Sequence, residues 1–314
     1  MFDVRPVFNV IGLLVSCLGL TMMFPMALDM SRGNGHAGVF LESALITCLT
    51  GSMMYLATRR EAARGLTLQQ TFLLTSGVWL ALPIFGALPF ALGATDSSFT
   101  DAFFEAMSGL TTTGATVISG LDYLPDGLLL WRSILQWLGG IGIIVVAMVF
   151  LPELRVGGMQ IFKSEGFDTF GKILPRATEI AAQVAWLYVG LTGACAVIYI
   201  ATGMRSFDAV LHAMTTIATG GFSTYDSSFV KFGASTEYAA VVFMCLAALP
   251  FVRYVQLING APGSLFQDSQ VRVFFIVLLV TVGFLTLVLW QGYQFSGELG
   301  FRKALFNVVS ITTG

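Results

Sequence analysis

Seven stretches of this chain are apolar enough and long enough to cross a bilayer, near residues 7–30, 37–57, 70–94, 128–151, 181–203, 236–258 and 272–292. A spanning helix needs about 20 mostly apolar residues. Lipid offers backbone groups no water, so each run must close its own hydrogen bonds as a helix. Hydrophobic residues make up 56% of the chain and charged residues 11%, where a soluble domain carries about 25% charged residues. Too few charges remain to cover a water-facing surface. The first run follows Arg5 as a signal sequence would. It is too long for a signal's apolar segment and lacks a clean small-x-small cleavage site, so it reads as a retained helix.

Charge then suggests an orientation. With the N-terminus in the cytoplasm, the inner segments hold Arg5, Arg59, Arg60, Arg64, Arg155, Lys163, Lys172, Arg176 and Arg272. The outer segments hold Arg32, Arg132, Arg205, Lys231, Arg302 and Lys303, so the count is nine against six, with Arg253 set aside inside a span. The bias favours an inside N-terminus. Acids such as Asp101, Glu105, Asp208, Glu237 and Glu298 fall on the outer side, where they read equally as solvated loop residues or as a field that concentrates cations. A net charge of −2 leaves no basic footprint for nucleic acid. Cys17, Cys48, Cys195 and Cys245 lie in apolar runs without a CxxC pair and read as small buried packing residues. His36 and His212 stand alone, which argues against a histidine metal site.

The outer loops carry more information. Residues 97–127, 205–228 and 298–314 share one order of parts: a polar or acidic start, a short half-apolar helix, then a Thr/Ser-rich run ending in Gly. Taken singly, each loop reads as well as a polar surface turn. Three copies in phase with the spans form an internal repeat of span, short helix, Thr-Gly loop and span. The fold expected is all-α and integral to the membrane. It consists of span–re-entrant pore helix–span repeats of potassium-channel-like type, with an extra N-terminal helix pair.

Such a unit suits a cation. A short helix ending partway through the membrane leaves its last carbonyls unpaired, with partial negative charge at that end. Carbonyls of the following loop, helped by Thr hydroxyls, can replace an ion's water shell. Glycine permits the backbone angles that inward-facing carbonyls require. In the first loop, Asp101 to Leu110 is the expected helix and Thr111-Thr112-Thr113-Gly114-Ala115 the filter strand. In the second, Asp208 to Thr216 is the helix and Ile217-Ala218-Thr219-Gly220-Gly221 the strand. In the third, Thr312 and Thr313 precede Gly314. A gapless match of Ala304, Phe306 and Ser310 to Ala102, Phe104 and Ser108 sets Gly314 opposite Thr112. The other register sets it opposite Gly114 and Gly220. The gapless one matches the apolar residues better.

At these residues the chain resembles the TrkH/TrkG potassium-uptake family of bacteria, related to the Ktr and HKT transporters. The resemblance rests on DAFFEAMSGLTTTGATV at 101–117, QWLGGIGIIV at 136–145 and GGMQIF at 157–162. It continues through PRATEIA at 175–181, FDAVLHAMTTIATGGFST at 207–224 and ALFNVVSITTG at 304–314. It implies four repeats around one pore in the bacterial inner membrane. It further implies a homodimer and a cytosolic nucleotide-binding TrkA-type subunit, with potassium as the transported ion and no organic cofactor on this chain. Carried over, potassium coordination falls on Thr112, Thr113, Ala218, Thr219 and Gly314, supported by Thr111, Gly114, Ile217, Gly220, Gly221, Thr312 and Thr313. Gly114 and Gly220 take the positions where glycine rather than serine accompanies potassium selectivity.

The organisation expected is a hairpin over 1–65, one repeat over 66–152, a second over 153–262, part of a third over 263–314, and no fourth. That departure from the family makes a fragment, or a truncated product that only binds partner subunits, the alternative to a conducting subunit. An embedded enzyme would need clustered acids, histidines or a nucleophile with its base, and the sequence groups none. Among the remaining residues, Gly139, Gly140 and Gly142 read as packing positions. Arg253 reads either as an intramembrane charge or as a side chain snorkelling near the inner end. Glu105 and His212 read as orienting residues, and Pro175 as opening the fifth span with Glu179 in its first turns.

Overall fold

The computed structural model describes residues 3–59, 66–150, 177–261, 263–292 and 297–314, with the side chains of Leu68, Ser264, 143–150 and 177–180 outside that description. The GGMQIF segment, Pro175, Arg60, Arg64 and the basic residues from Arg155 to Arg176 lie outside the described residues, as does the Glu179 side chain. Every described element is helical. Two compact units emerge: Met1–Gly139 with Thr224–Asp226, and Gly140–Ser223 with Ser227–Gly314.

The first unit holds α1 (Arg5–Thr21), α2 (Met23–Arg32), α3 (Ala37–Thr58), α4 (Leu68–Gly86), α5 (Leu88–Leu92), α6 (Phe99–Leu110) and the start of α7 (Asp126–Phe150). The Asn9 amide on α1 donates to the Tyr55 carbonyl (3.0 Å) and the Thr58 hydroxyl (3.2 Å), which ties α1 to α3. Asp29, fully buried on α2, accepts from the Gly127 N–H at 2.8 Å. That N–H is one of the donors a helix start leaves unpaired, and the carboxylate meets the positive end of α7. Arg32 adds an ion pair to Asp126 at 3.0 Å. The N-terminal hairpin is thus held on α7 by polar contacts as well as by packing.

α4 stops at Gly86, two residues before Leu88-Pro89 opens α5. The Phe90 N–H turns to the Ala87 carbonyl, so Trp131 on α7 supplies its indole N–H to the Gly86 carbonyl at 2.9 Å. α6 begins at an N-cap, where the Ser98 hydroxyl oxygen accepts the Asp101 N–H at 3.2 Å.

The second unit holds α8 (Ala177–Ala201), α9 (Ser206–Ile217), α10 (Ala234–Ala248), α11 (Phe251–Ile258), α12 (Gly263–Phe266), α13 (Ser269–Gly292) and α14 (Gly297–Thr313). Val241, Leu278, Val282, Val308 and Val309 form the core shared by α10, α13 and α14. The run expected to span at 236–258 is broken. α10 ends at Ala248, Leu249 is extended, and α11 leaves at 86° behind Pro250. Proline has no N–H to continue the ladder, and its ring pushes the preceding residue out of the helical region. Arg253 therefore sits on the turned helix, where it pairs with Asp268 at 2.7 Å and donates to the Gln256 side-chain oxygen at 3.0 Å.

Among the described residues, five helical stretches are long and apolar enough to cross a membrane: Arg5–Arg32, Ala37–Thr58, Gln69–Leu92, Ala181–Ala201 and Ser269–Gly292; the bent pair would be a sixth. In the last, 17% of the apolar window is buried within the protein. The chain is a multi-pass membrane protein. Of the cysteines only Cys195 is buried, while Cys17 is exposed, contrary to the packing role expected of all four. An apolar run in lipid does not imply a buried side chain, because its outer face is solvated by lipid.

Candidate functional site

Both short helices end in the same way. Thr111 caps α6, and the Thr112 N–H donates to the Gly109 carbonyl (3.0 Å) while the Thr113 N–H donates to that of Ser108 (2.9 Å). Ala218 caps α9, and the Thr219 N–H donates to Thr216 (3.1 Å) while the Gly220 N–H donates to Thr215 (3.0 Å). This is the Schellman closure, whose turning residue adopts the left-handed conformation and is usually glycine. Here it is threonine twice: Thr112 has φ +57° and Thr219 φ +55°. A β-branched residue with such angles is an outlier, at a cost of about 1–2 kcal/mol. Two residues further on, Gly114 and Gly221 return to positive φ, at +75° and +74°.

These angles correct the register expected for the second loop. Thr219 is the counterpart of Thr112, Ala218 of Thr111, and Gly221, not Gly220, of Gly114. Ile217 is the last residue of α9 rather than part of the strand. Thr312 and Thr313 are likewise helical, in the last turn of α14, and Gly314 (φ +118°) follows as the turning residue. The Thr111 hydroxyl donates to the carbonyl four residues back, Met107, at 2.8 Å, and the Thr313 hydroxyl does the same to Val309 at 2.9 Å. That parallel agrees with the gapless register of the third loop.

In the second unit, a Cβ built on Gly314 would lie 3.6 Å from the Thr219 carbonyl oxygen and 3.7 Å from its hydroxyl oxygen. The structure therefore brings Gly314 beside Thr219. Thr111 to Ala115 belong to the first unit. No backbone N–H among the described residues donates to the carbonyls of Leu110–Gly114 or of Ala218–Gly221. These oxygens, with the negative ends of α6 and α9 behind them, are suited to a cation.

Glycines on α7 back both helix ends. In the first unit, a Cβ on Gly139 would come 2.1 Å from the Leu110 carbonyl oxygen. In the second unit, a Cβ on Gly140 would come 3.1 Å from the Ala218 Cα and 2.6 Å from the Tyr188 hydroxyl. Gly142 has no described neighbour within 4 Å, so the packing role expected of it is not seen.

Several charges of the outer segments make specific contacts. Arg132 and Glu105 form an ion pair at 2.8 Å with side chains 1% and 0% exposed. Glu105 also accepts from the Thr116 hydroxyl (2.9 Å) and the Val117 N–H (3.0 Å) in the strand that returns from the first loop. In the second unit His212 occupies the corresponding helix position, with ring nitrogens 2.8 Å from the Asp208 carbonyl and 3.0 Å from the Ser223 hydroxyl. Glu237, buried on α10, holds the start of α14 through Arg302 (2.6 Å) and Lys303 (2.8 Å). In the first unit Asp226 receives the Gly120 N–H (2.9 Å) and the Leu121 N–H (3.2 Å). Arg132 was missed as a site residue because it was counted with the loops. The available signal was an arginine a few residues inside an apolar run, facing an acid on the preceding short helix.

Comparison with known proteins shows what the chain as a whole is similar to. The family model described as TrkH, cation transport protein, matches residues 36–294. The Trk system potassium uptake protein TrkH of Halomonas elongata is 39% identical over 316 residues, covering 99% of this chain. TrkH of Escherichia coli K12 is 38% identical over 315 residues, covering 98%. The crystal structure of the potassium transporter TrkH from Vibrio parahaemolyticus superposes with a TM-score of 0.88 at 34% identity, covering 99% of this chain and 64% of that one. The chain spans 65% of the length of the two curated relatives.

Proposed function

The chain belongs to the TrkH cation-transport family, and on that premise we propose that it forms a potassium-conducting part of a Trk-type uptake system. The observation that carries this reading is the repeated helix end, with threonine held left-handed at Thr112 and Thr219 and glycine following at Gly114 and Gly221. A strained backbone repeated at equivalent places is the expected mark of a working site. The ion would be coordinated by carbonyls of Thr112 and Thr113 in the first loop and by Gly314 in the third. In the second loop the register moves the share expected of Ala218 and Thr219 onto Thr219 and Gly220. Thr111, Ala218 and Thr313 close the helices behind them, and Gly114 and Gly221 shape the strands. Ions enter such a ring by exchanging water for carbonyl oxygen, with no covalent step. The family is one of transport, not catalysis.

The relatives' naming as parts of a Trk system favours a regulatory partner. The remaining parts of the proposal come from the sequence: a homodimer in the bacterial inner membrane and a cytosolic nucleotide-binding TrkA-type partner from the family resemblance, an inside N-terminus from the charge count, and a repeat division near residues 65, 152 and 262 from the repeated loops. Growth of a potassium-uptake-deficient bacterium at low potassium tests the function. Rescue by the expressed gene product is expected, and inserted protein without rescue refutes the reading. Gly114→Ser should admit more sodium, by about tenfold relative to potassium. An unchanged ratio removes Gly114 from the filter.

A further inference from the structure

We propose that Glu105 with Arg132, and His212 in the second unit, are positioning residues that brace the two filter loops from behind, by different chemistry in each unit. The inference rests on the potassium reading above and names residues that act on the filter without touching the ion.

Glu105 and His212 lie at the same place on their helices, each eleven residues before the hydroxyl it engages, Thr116 and Ser223. Each contact therefore spans the loop, from the middle of the short helix to the strand that returns after Gly114 or Gly221. The loop between is held at one end by the Schellman closure and at the other by this bond. A strand with few backbone partners of its own needs such a hold if its carbonyls are to keep a fixed spacing.

The two braces differ in their side chains and in what those side chains touch. In the first unit the carboxylate takes the Thr116 hydroxyl, the Val117 N–H and the Arg132 Nε–H, and Arg132 reaches Thr116 itself at 3.2 Å. Removal of either member leaves a buried charge without its counter-charge. In the second unit the imidazole lies edge-on to Phe229 and Phe232, with ring centroids 5.2 Å away in both cases, and the Asp208 carbonyl fixes its other nitrogen. An imidazole seated on aromatic rings does the work that an ion pair does in the first unit.

The test uses the full gene product in the uptake-deficient bacterium, with potassium KM, maximal rate and potassium-over-sodium discrimination normalised to inserted protein. Arg132→Met should raise KM and reduce discrimination, each by about tenfold or more. Glu105→His with Thr116→Ser and Arg132→Met gives the first unit an imidazole–hydroxyl brace with no unpaired buried charge and should return both to within about threefold of the parent. If Arg132→Met leaves no protein in the membrane, Arg132→Lys carries the test. It keeps the charge but loses the fork that reaches Glu105 and Thr116 together, and should shift discrimination by about threefold or more. Variants that change only the amount of protein, with KM and discrimination intact, overturn the proposal, as does a triple variant no better than Arg132→Met. An inactive parent overturns the transport reading itself, and this inference with it.

Discussion

Threonine at a left-handed turn is an uncommon choice, and Thr112 and Thr219 make it at equivalent places. Sequence reasoning assigns the difficult angles to the glycines. The structure gives them to threonines as well, where a hydroxyl is kept at the helix end despite the strain. Close approach explains two neighbouring glycines better than flexibility does. Gly139→Ala would drive a Cβ to 2.1 Å from the Leu110 carbonyl oxygen, which backbone can relieve only by shifting. It should cost about 1–3 kcal/mol. Gly142→Ala meets no described atom within 4 Å and should be neutral or stabilise by up to about 1 kcal/mol. Thermal unfolding of the detergent-solubilised protein compares them, and equal losses would refute the assignment. Arg132, Glu237 and Arg302 show where reading by residue type failed. A charge near the end of an apolar run looks like a loop charge until the partner across the fold is known.

At the scale of elements, helix existence was legible and continuity was less so. The short helices were expected at Asp101 to Leu110 and Asp208 to Thr216, and the structure has Phe99–Leu110 and Ser206–Ile217. Hydropathy carried the run at 236–258 through a proline that the backbone cannot ignore. Past that break, α11 is tied to the start of α13 by Arg253 and Asp268. Burial raises the Asp268 carboxyl, but the Gln270 N–H and the Arg253 guanidinium outweigh it and hold the group below its ordinary range. A depressed carboxyl stabilises the fold above its unfolded value, about 3.9. That contribution is lost as pH falls through the lower folded value. Arg253→Met should therefore cost about 1 kcal/mol near neutral pH. The variant should also lose less stability than the parent on acidification to about pH 3. Melting curves at the two pH values decide it, and parallel losses in both proteins would exclude the pair as the cause.

For the whole molecule, the apolar faces left to lipid set the environment and the crossings set the sides. Three spanning stretches, Arg5–Arg32, Ala37–Thr58 and Gln69–Leu92, separate Asp3 from Tyr123, which is 93% exposed after the first loop. In a background without Cys17, Cys48, Cys195 and Cys245, a membrane-impermeant maleimide should label Tyr123→Cys in intact cells. Asp3→Cys should react only after lysis. The reverse pattern would invert the orientation, and labelling of both in intact cells would contradict an odd number of crossings. Composition and apolar run length by themselves determined a membrane-embedded helical protein, and the spacing of Thr-Gly loops determined its repeated unit. Those properties depend on local periodicity and on transfer into lipid, which each segment undergoes on its own. The partners of Glu105, Arg132 and Glu237 were decided by tertiary structure. They depend on which side chains meet across helices far apart in sequence.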